Sequence, residues 1–116
     1  MSDSKARNEQ RVVEYLTLRR DQSKVNDLVA FYEQSDQVYI IDRHGKQHSG
    51  PAAIKASLLT ETPNIDERSI QVKSVDDSVV NATFKVTVAL MVKISSSARF
   101  TFNSKGELLS AVVNPK

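Results

Sequence analysis

The stretch Val79-Val-Asn-Ala-Thr-Phe84-Lys-Val-Thr-Val88-Ala-Leu-Met-Val-Lys-Ile94 alternates apolar and polar residues for most of its length. Phe84, Val86, Val88, Leu90, Val92 and Ile94 fall on one side of an extended chain, and Thr83, Lys85, Thr87, Ala89, Met91 and Lys93 on the other. A period of two belongs to a strand with one face covered and the other in water or in an interface. The spacing predicts one long strand over Val79 to Ile94, with Ser95-Ser96-Ser97 as the turn that ends it. Further strands flank it: Ser69 to Val75 before the turn Asp76-Asp77-Ser78, Ala98 to Asn103 with Phe100 and Phe102 inward, and Leu108 to Val113 after the turn Ser104-Lys105-Gly106-Glu107.

The first half of the chain has a different period. From Lys5 to Arg20, Val12, Val13, Tyr15 and Leu16 gather on one side of a helical wheel, widened by Leu18. Ser23 is an expected N-cap for a second helix, in which Val25, Leu28, Val29 and Tyr32 share a face beside Phe31. Gly50-Pro51 opens a third, short helix anchored by Ile54 and Leu58, because proline at the first helical position gives up an N–H that had no partner there. Between the second and third helices, Val38 to Ser49 reads as a hairpin with a two-residue turn at His44-Gly45. That register opposes Ile41 to His48. It puts Val38, Ile40, Asp42, Gln47 and Ser49 on one face and Tyr39, Ile41, Arg43, Lys46 and His48 on the other.

Helices first and long antiparallel strands last make an α+β domain, with three N-terminal helices on one side of a curved antiparallel sheet. At 116 residues and 40% hydrophobic content, the chain has material for one core, so a single domain over 1–116 is expected, with residues 1–6 as a disordered tail. The absence of cysteine excludes disulfides, thiol nucleophiles, Fe–S clusters and cysteine-containing zinc sites. His44 and His48 are four residues apart, but in a hairpin this spacing does not converge on a metal, so no metal site is expected. The three glycines are isolated and build no phosphate-cradling loop, and no cofactor is implied. The basic residues of the first quarter are interleaved with Asp3, Glu9, Glu14 and Asp21, the pattern of a solvated helix face, so no nucleic-acid partner is expected. The polar N-terminus lacks the apolar core of a secretory leader, and no run approaches the roughly 20 residues of a membrane span. A cytoplasmic or nuclear location without a membrane partner is the expectation.

Three short stretches carry a resemblance to a known family: Leu28-Val-Ala-Phe-Tyr32, Gly50-Pro-Ala-Ala-Ile54 and Phe100-Thr-Phe-Asn-Ser-Lys-Gly106. Together with the element order from about Arg7 to Val113, they resemble the NTF2-like superfamily, which includes the SnoaL-like proteins, the ketosteroid isomerases and nuclear transport factor 2. The resemblance implies a cone of three helices and a bent sheet around an apolar pocket, with the outer sheet face making a homodimer. It then makes Tyr15, Val38, Ile40, Asp42, Phe84, Val86, Phe100 and Phe102 candidates for the pocket, and Thr87, Ala89 and Met91 candidates for the dimer surface.

The chemistry implied by the enzymatic relatives is largely missing. Aligning the motifs puts Tyr15 at the isomerases' tyrosine, while Ile40 stands at the general base and Ala98 at the protonated acid. Asp42, on the same predicted face as Ile40, is a candidate displaced base, with Tyr15 and His48 as weaker catalytic candidates. The predicted register turns His48 away from Asp42, so a His–Asp pair needs a bulge. The nuclear transport comparison also departs from pattern, because an aromatic next to an acidic residue is replaced by Arg43 and His44. The leading expectation is a non-catalytic, homodimeric domain that binds an apolar small molecule, or a peptide or protein partner. A SnoaL-like isomerase, lyase or hydrolase and a transport adaptor are the alternatives.

Overall fold

The computed structural model of the chain describes residues 3–115. Helix α1 (Asp3–Leu18) starts inside the stretch expected to be a disordered tail, so residues 3–6 are helical. The helix is fastened at that end by Asn8, which is fully buried and donates its side-chain amide to the carbonyl of Asp77 at 3.0 Å. A buried amide with its partner in place costs little.

A 3-10 turn at Gln22–Lys24, capped by Asp21, leads into α2 (Val25–Val29), whose own N-cap position holds Lys24 without a side-chain cap and not the expected Ser23. The Asp21 carboxylate accepts from the Ser23 backbone N–H at 3.0 Å and from its hydroxyl at 2.7 Å. The helix is shorter than its apolar spacing suggests. Glu33 donates its backbone N–H to the Leu108 carbonyl, and Leu108 donates to Phe31, so this segment is drawn off into sheet-like contacts. In α3 (Pro51–Thr60), Gly50 stands before Pro51 with φ of +87°, and Ile54 and Leu58 are buried, as expected.

The described residues form six strands, the first two between α2 and α3 and the rest after α3: β1 (Tyr39–Ile41), β2 (Gln47–Ser49), β3 (Ile65–Ser74), β4 (Val79–Ala89), β5 (Val92–Phe102) and β6 (Leu108–Val113). They form one sheet in the order β2-β1-β6-β5-β4-β3. The sheet is mixed, because β1 runs parallel to β6, with Ile40 opposite Ala111; every other pair is antiparallel, as expected. Register shifts between Asp66 and Gln71, between Thr87 and Ala89, and between Thr101 and Phe102 insert extra residues and bend the sheet. The helices cover its concave side. The core joins Val12, Leu16, Leu28, Tyr32 and Ile54 from the helices to Val80, Ala82, Phe100, Phe102 and Leu108 from the sheet.

The stretch predicted as one strand from Val79 to Ile94 is two. The chain reverses at Leu90-Met91, Ala89 pairs with Val92, and the serines expected to form a turn pair within β5, Ser96 with Phe84 and Ser97 with Thr83. Alternation hides this turn, because a two-residue reversal between apolar strands interrupts the pattern only by its conformation, and Met91 supplies that with φ of +61°. Met91 and Leu90 are 95% and 96% exposed at the hairpin tip. Of the residues placed on the dimer surface, Thr87 lies on the outward face of β4, Ala89 ends the strand, and Met91 leaves the strand face altogether. No helix of the described residues is long and apolar enough to cross a membrane.

Candidate functional site

The cone encloses an apolar cavity of about 250 Å³ between α1, α3, β1 and the concave faces of β4 and β5. Tyr15, Ile40, Asp42, Phe84, Val86 and Phe100 are among the residues that line it. Val38 and Phe102 are not. Both are close-packed in the core, 0% and 2% exposed, with no open space beside them. Ile40 and Ala98, which stand where the isomerases carry carboxylates, are both in the cavity wall. The sequence reading missed Arg19, Leu58, Glu61 and Ser96 as lining residues. Leu58 was legible as the inner face of α3, but Ser96 was hidden by the misplaced turn.

Tyr15 projects from α1 among rings that hold it by their edges: Phe31 and Phe100 with centroids at 5.5 Å and Tyr32 at 6.0 Å. Its hydroxyl lies 2.7 Å from that of Tyr32. Burial raises the pKa of Tyr15 above the ordinary phenol value, against the pull of Arg19 and of the Tyr32 hydrogen bond. Burial, then the charge and hydrogen bond of Tyr15, raise Tyr32 well above it. Both are neutral phenols near pH 7. Tyr32 is fully buried and does not line the cavity, and among the described residues its hydroxyl has no other partner. Donation from Tyr32 to Tyr15 satisfies the deeper group and leaves the Tyr15 proton available to another acceptor.

At the mouth, the hairpin β1–β2 departs from the predicted register by one residue. Ile40 opposes His48 and Ile41 opposes Gln47, because the loop is Arg43-His44-Gly45, three residues and not two. Asp42 makes the loop: its Oδ1 accepts the backbone N–H groups of His44 and Lys46 at 2.9 and 3.0 Å, and Gly45 takes φ of +79°. One residue of register exchanges faces. His48 and Asp42 consequently share a side, with His48 Nε2 2.9 Å from Asp42 Oδ2, the pair that the predicted hairpin forbade. The hydrogen bond from His48, then the two backbone N–H groups, hold the Asp42 carboxyl at about 2, below the usual carboxylate range.

Both Asp42 oxygens are thus engaged, and a carboxylate with so low a pKa is a weak proton acceptor near neutrality. Asp42 touches the cavity, whereas His48 is not among its lining residues. The other charges of the mouth are committed as well. Arg43 pairs with Glu61 at 2.9 Å, and Arg19 donates to the carbonyls of Leu58 and Glu61 at 3.4 and 3.1 Å. His44, exposed on the loop, lies 3.7 Å from Glu61. Among the described residues, no group of three or more His, Cys, Asp or Glu side chains is placed to hold a metal ion. On the opposite side of the sheet, Ser69, Gln71, Thr83, Lys85, Ser95 and Ser97 surround a wider, open depression of about 410 Å³.

Neither a protein-family model nor a curated protein matches the sequence. Solved structures do match the fold. SalBIII, an epoxide hydrolase/cyclase-like enzyme of pyran ring formation in the polyether salinomycin, superimposes with a TM-score of 0.75 at 21% identity, over 97% of this chain and 92% of that one. A protein from Sphaerobacter thermophilus gives 0.71 at 16% identity over 87% and 88%, and a cystatin-fold protein from Novosphingobium aromaticivorans gives 0.70 at 13% over 91% and 96%. The chain has the α+β cone fold of the NTF2-like superfamily. At these identities the likeness establishes the fold, and the chemistry has to come from the site.

Proposed function

We propose that this chain binds an apolar small molecule carrying an oxygen acceptor, holds it in the cone cavity without transforming it, and works as a homodimer. The observation that carries the reading is the composition of the wall. Its titratable members are a neutral phenol, Tyr15, and four charged groups at the mouth that already have partners: Arg19, Asp42, Arg43 and Glu61. A small, mostly apolar cavity with a few polar groups is the usual form of a ligand site, and its volume of about 250 Å³ falls just below the customary range of roughly 300–1,000 Å³.

The second reading takes its motive from SalBIII and from the Asp42–His48 pair. Opening an epoxide requires a proton donor at the oxygen and a base to activate water. Tyr15 supplies a donor, but Asp42 is held at about 2 and is a poor match for the second role. The binding reading is tested by thermal unfolding with straight-chain ketones and with simple aliphatic epoxides, followed by product analysis. A ligand that binds only the folded state raises the midpoint with concentration. The expected result is a rise with ketones and recovery of the epoxides unchanged. No rise with any apolar ligand overturns the reading, and turnover of an epoxide moves the protein to the enzyme class. A rise only with an apolar peptide gives the cavity to a polypeptide partner.

A further inference from the structure

Phe84, Val86 and Val88 follow one another along the inner face of β4, with Ile94 opposite Val86 on β5, and all four line the cavity. Their exposure climbs outward. Phe84 is 7% exposed, Val86 is half-buried, Val88 is 54% and Ile94 49% exposed, and Leu90 at the tip is almost bare. At about 3.4 Å per residue, the row runs about 14 Å from Phe84 to Val88. Among the described residues, its outer end is paired with no further strand on either edge. Pairing of β3 with β4 begins at Ile65–Val86, with Thr87 N–H to Asn64 as the last backbone tie, and β6 reaches β5 only to Ala98, with Asn114 N–H to Ser97 beyond it. From Val88 to Lys93 the hairpin is a two-stranded ribbon, its outer part tied back to β3 by Lys93 Nζ and Asp66 Oδ2 at 2.8 Å, and one of its sides forms the rim of the cavity wall.

A compact ligand seated against Phe84 and Val86 leaves the half-exposed rim of the same wall, Val88 and Ile94, largely in water. We infer that the ligand is an elongated, unbranched apolar chain with an oxygen acceptor at one end, bound head-first. The acceptor meets the Tyr15 hydroxyl, the first part of the chain lies in the deep part of the cavity beside Phe84 and Val86, and the remainder lies along the rim residues Val88 and Ile94. This inference rests on the binding reading above and names the ligand class of the same site.

The test is a homologous series of straight-chain methyl ketones, hexanone to tetradecanone, titrated calorimetrically into the wild-type chain and into the double variant V88S/I94S. In the wild type, each added methylene that finds apolar wall lowers Kd about threefold to fourfold, and the gain continues until the chain spans the wall out to Val88 and Ile94. In V88S/I94S the gain per methylene falls off at the lengths that reach positions 88 and 94, earlier than in the wild type. Both positions are half-exposed, and a thermal unfolding profile checks that the variant is folded. A wild-type series that already levels off at the short ketones overturns the elongated ligand and leaves the binding reading standing, a result that does not depend on the variant. An unchanged slope in V88S/I94S overturns the assignment of the outer wall. Absence of binding by every ketone overturns both readings.

Discussion

The two tyrosine hydroxyls carry most of the polar information inside the cone. Replacing Tyr15 by Phe keeps the edge contacts with Phe31 and Phe100 but leaves the buried Tyr32 hydroxyl alone. The expected cost is about 1–3 kcal/mol in urea denaturation, and the double variant Tyr15→Phe/Tyr32→Phe loses less than the sum of the singles, since no orphan remains. Ketone binding weakens in Tyr15→Phe by roughly three- to tenfold, the worth of one net hydrogen bond. At the mouth, the relevant residue is Asp42. Its folded pKa of about 2 lies below the ordinary 3.8, so the stability contributed by the carboxylate is present above pH 4 and is lost as the pH falls from about 4 to 2. Denaturation midpoints measured across that window show the loss, and Asp42→Asn removes part of the slope. The candidate status of Tyr15 was legible in the helical period. The Asp42–His48 pair was not, because the parity of the hairpin depends on a loop one residue longer than the dipeptide His44-Gly45 suggests.

At the scale of elements, the β4–β5 hairpin is the feature least like its sequence signal. Turn-forming dipeptides are usually rich in Asn, Asp and Gly, and this one is Leu90-Met91. Met91 holds φ of +61°, a conformation that costs an L-residue about 1–2 kcal/mol and costs glycine little. Met91→Gly is therefore expected to raise stability by about 0.5–1 kcal/mol, after the entropy lost by the freer glycine, with ketone affinity unchanged because Met91 does not line the cavity. Denaturant titration measures the first effect and calorimetry the second. A gain in stability accompanied by weaker binding would mean that the methionine itself contacts the ligand. The alternation of Val79 to Ile94 identified strand and inward face correctly for Phe84, Val86 and Val88. It could not locate the reversal, since apolar residues at a turn preserve the period that a turn normally breaks.

On the scale of the whole molecule, the proposed homodimer is assigned to the outer sheet face, where Thr83, Thr87, Ser95 and Ser97 alternate with the inward residues. A homodimer on that face predicts twice the chain mass in sedimentation equilibrium and a shift to monomer in Thr87→Arg/Ser97→Arg, whose side chains meet their symmetry mates. A monomeric wild-type protein removes the dimer from the proposal and leaves the cavity as it is. The sequence by itself determined the α+β class, the hairpin between the second and third helices with the long strands last, the anchors Ile54 and Leu58, and the inward set Phe84, Val86 and Phe100. These follow from local periods and turn chemistry, which act over a few residues. The tertiary structure alone decided that β1 lies parallel to β6, with Ile40 opposite Ala111, that Val38 and Phe102 pack solidly while Ala98 and Ser96 face open space, and that Asp42 meets His48. Each of these depends on register and on contacts between residues far apart in the chain, where a slip of one residue exchanges the buried face for the wet one.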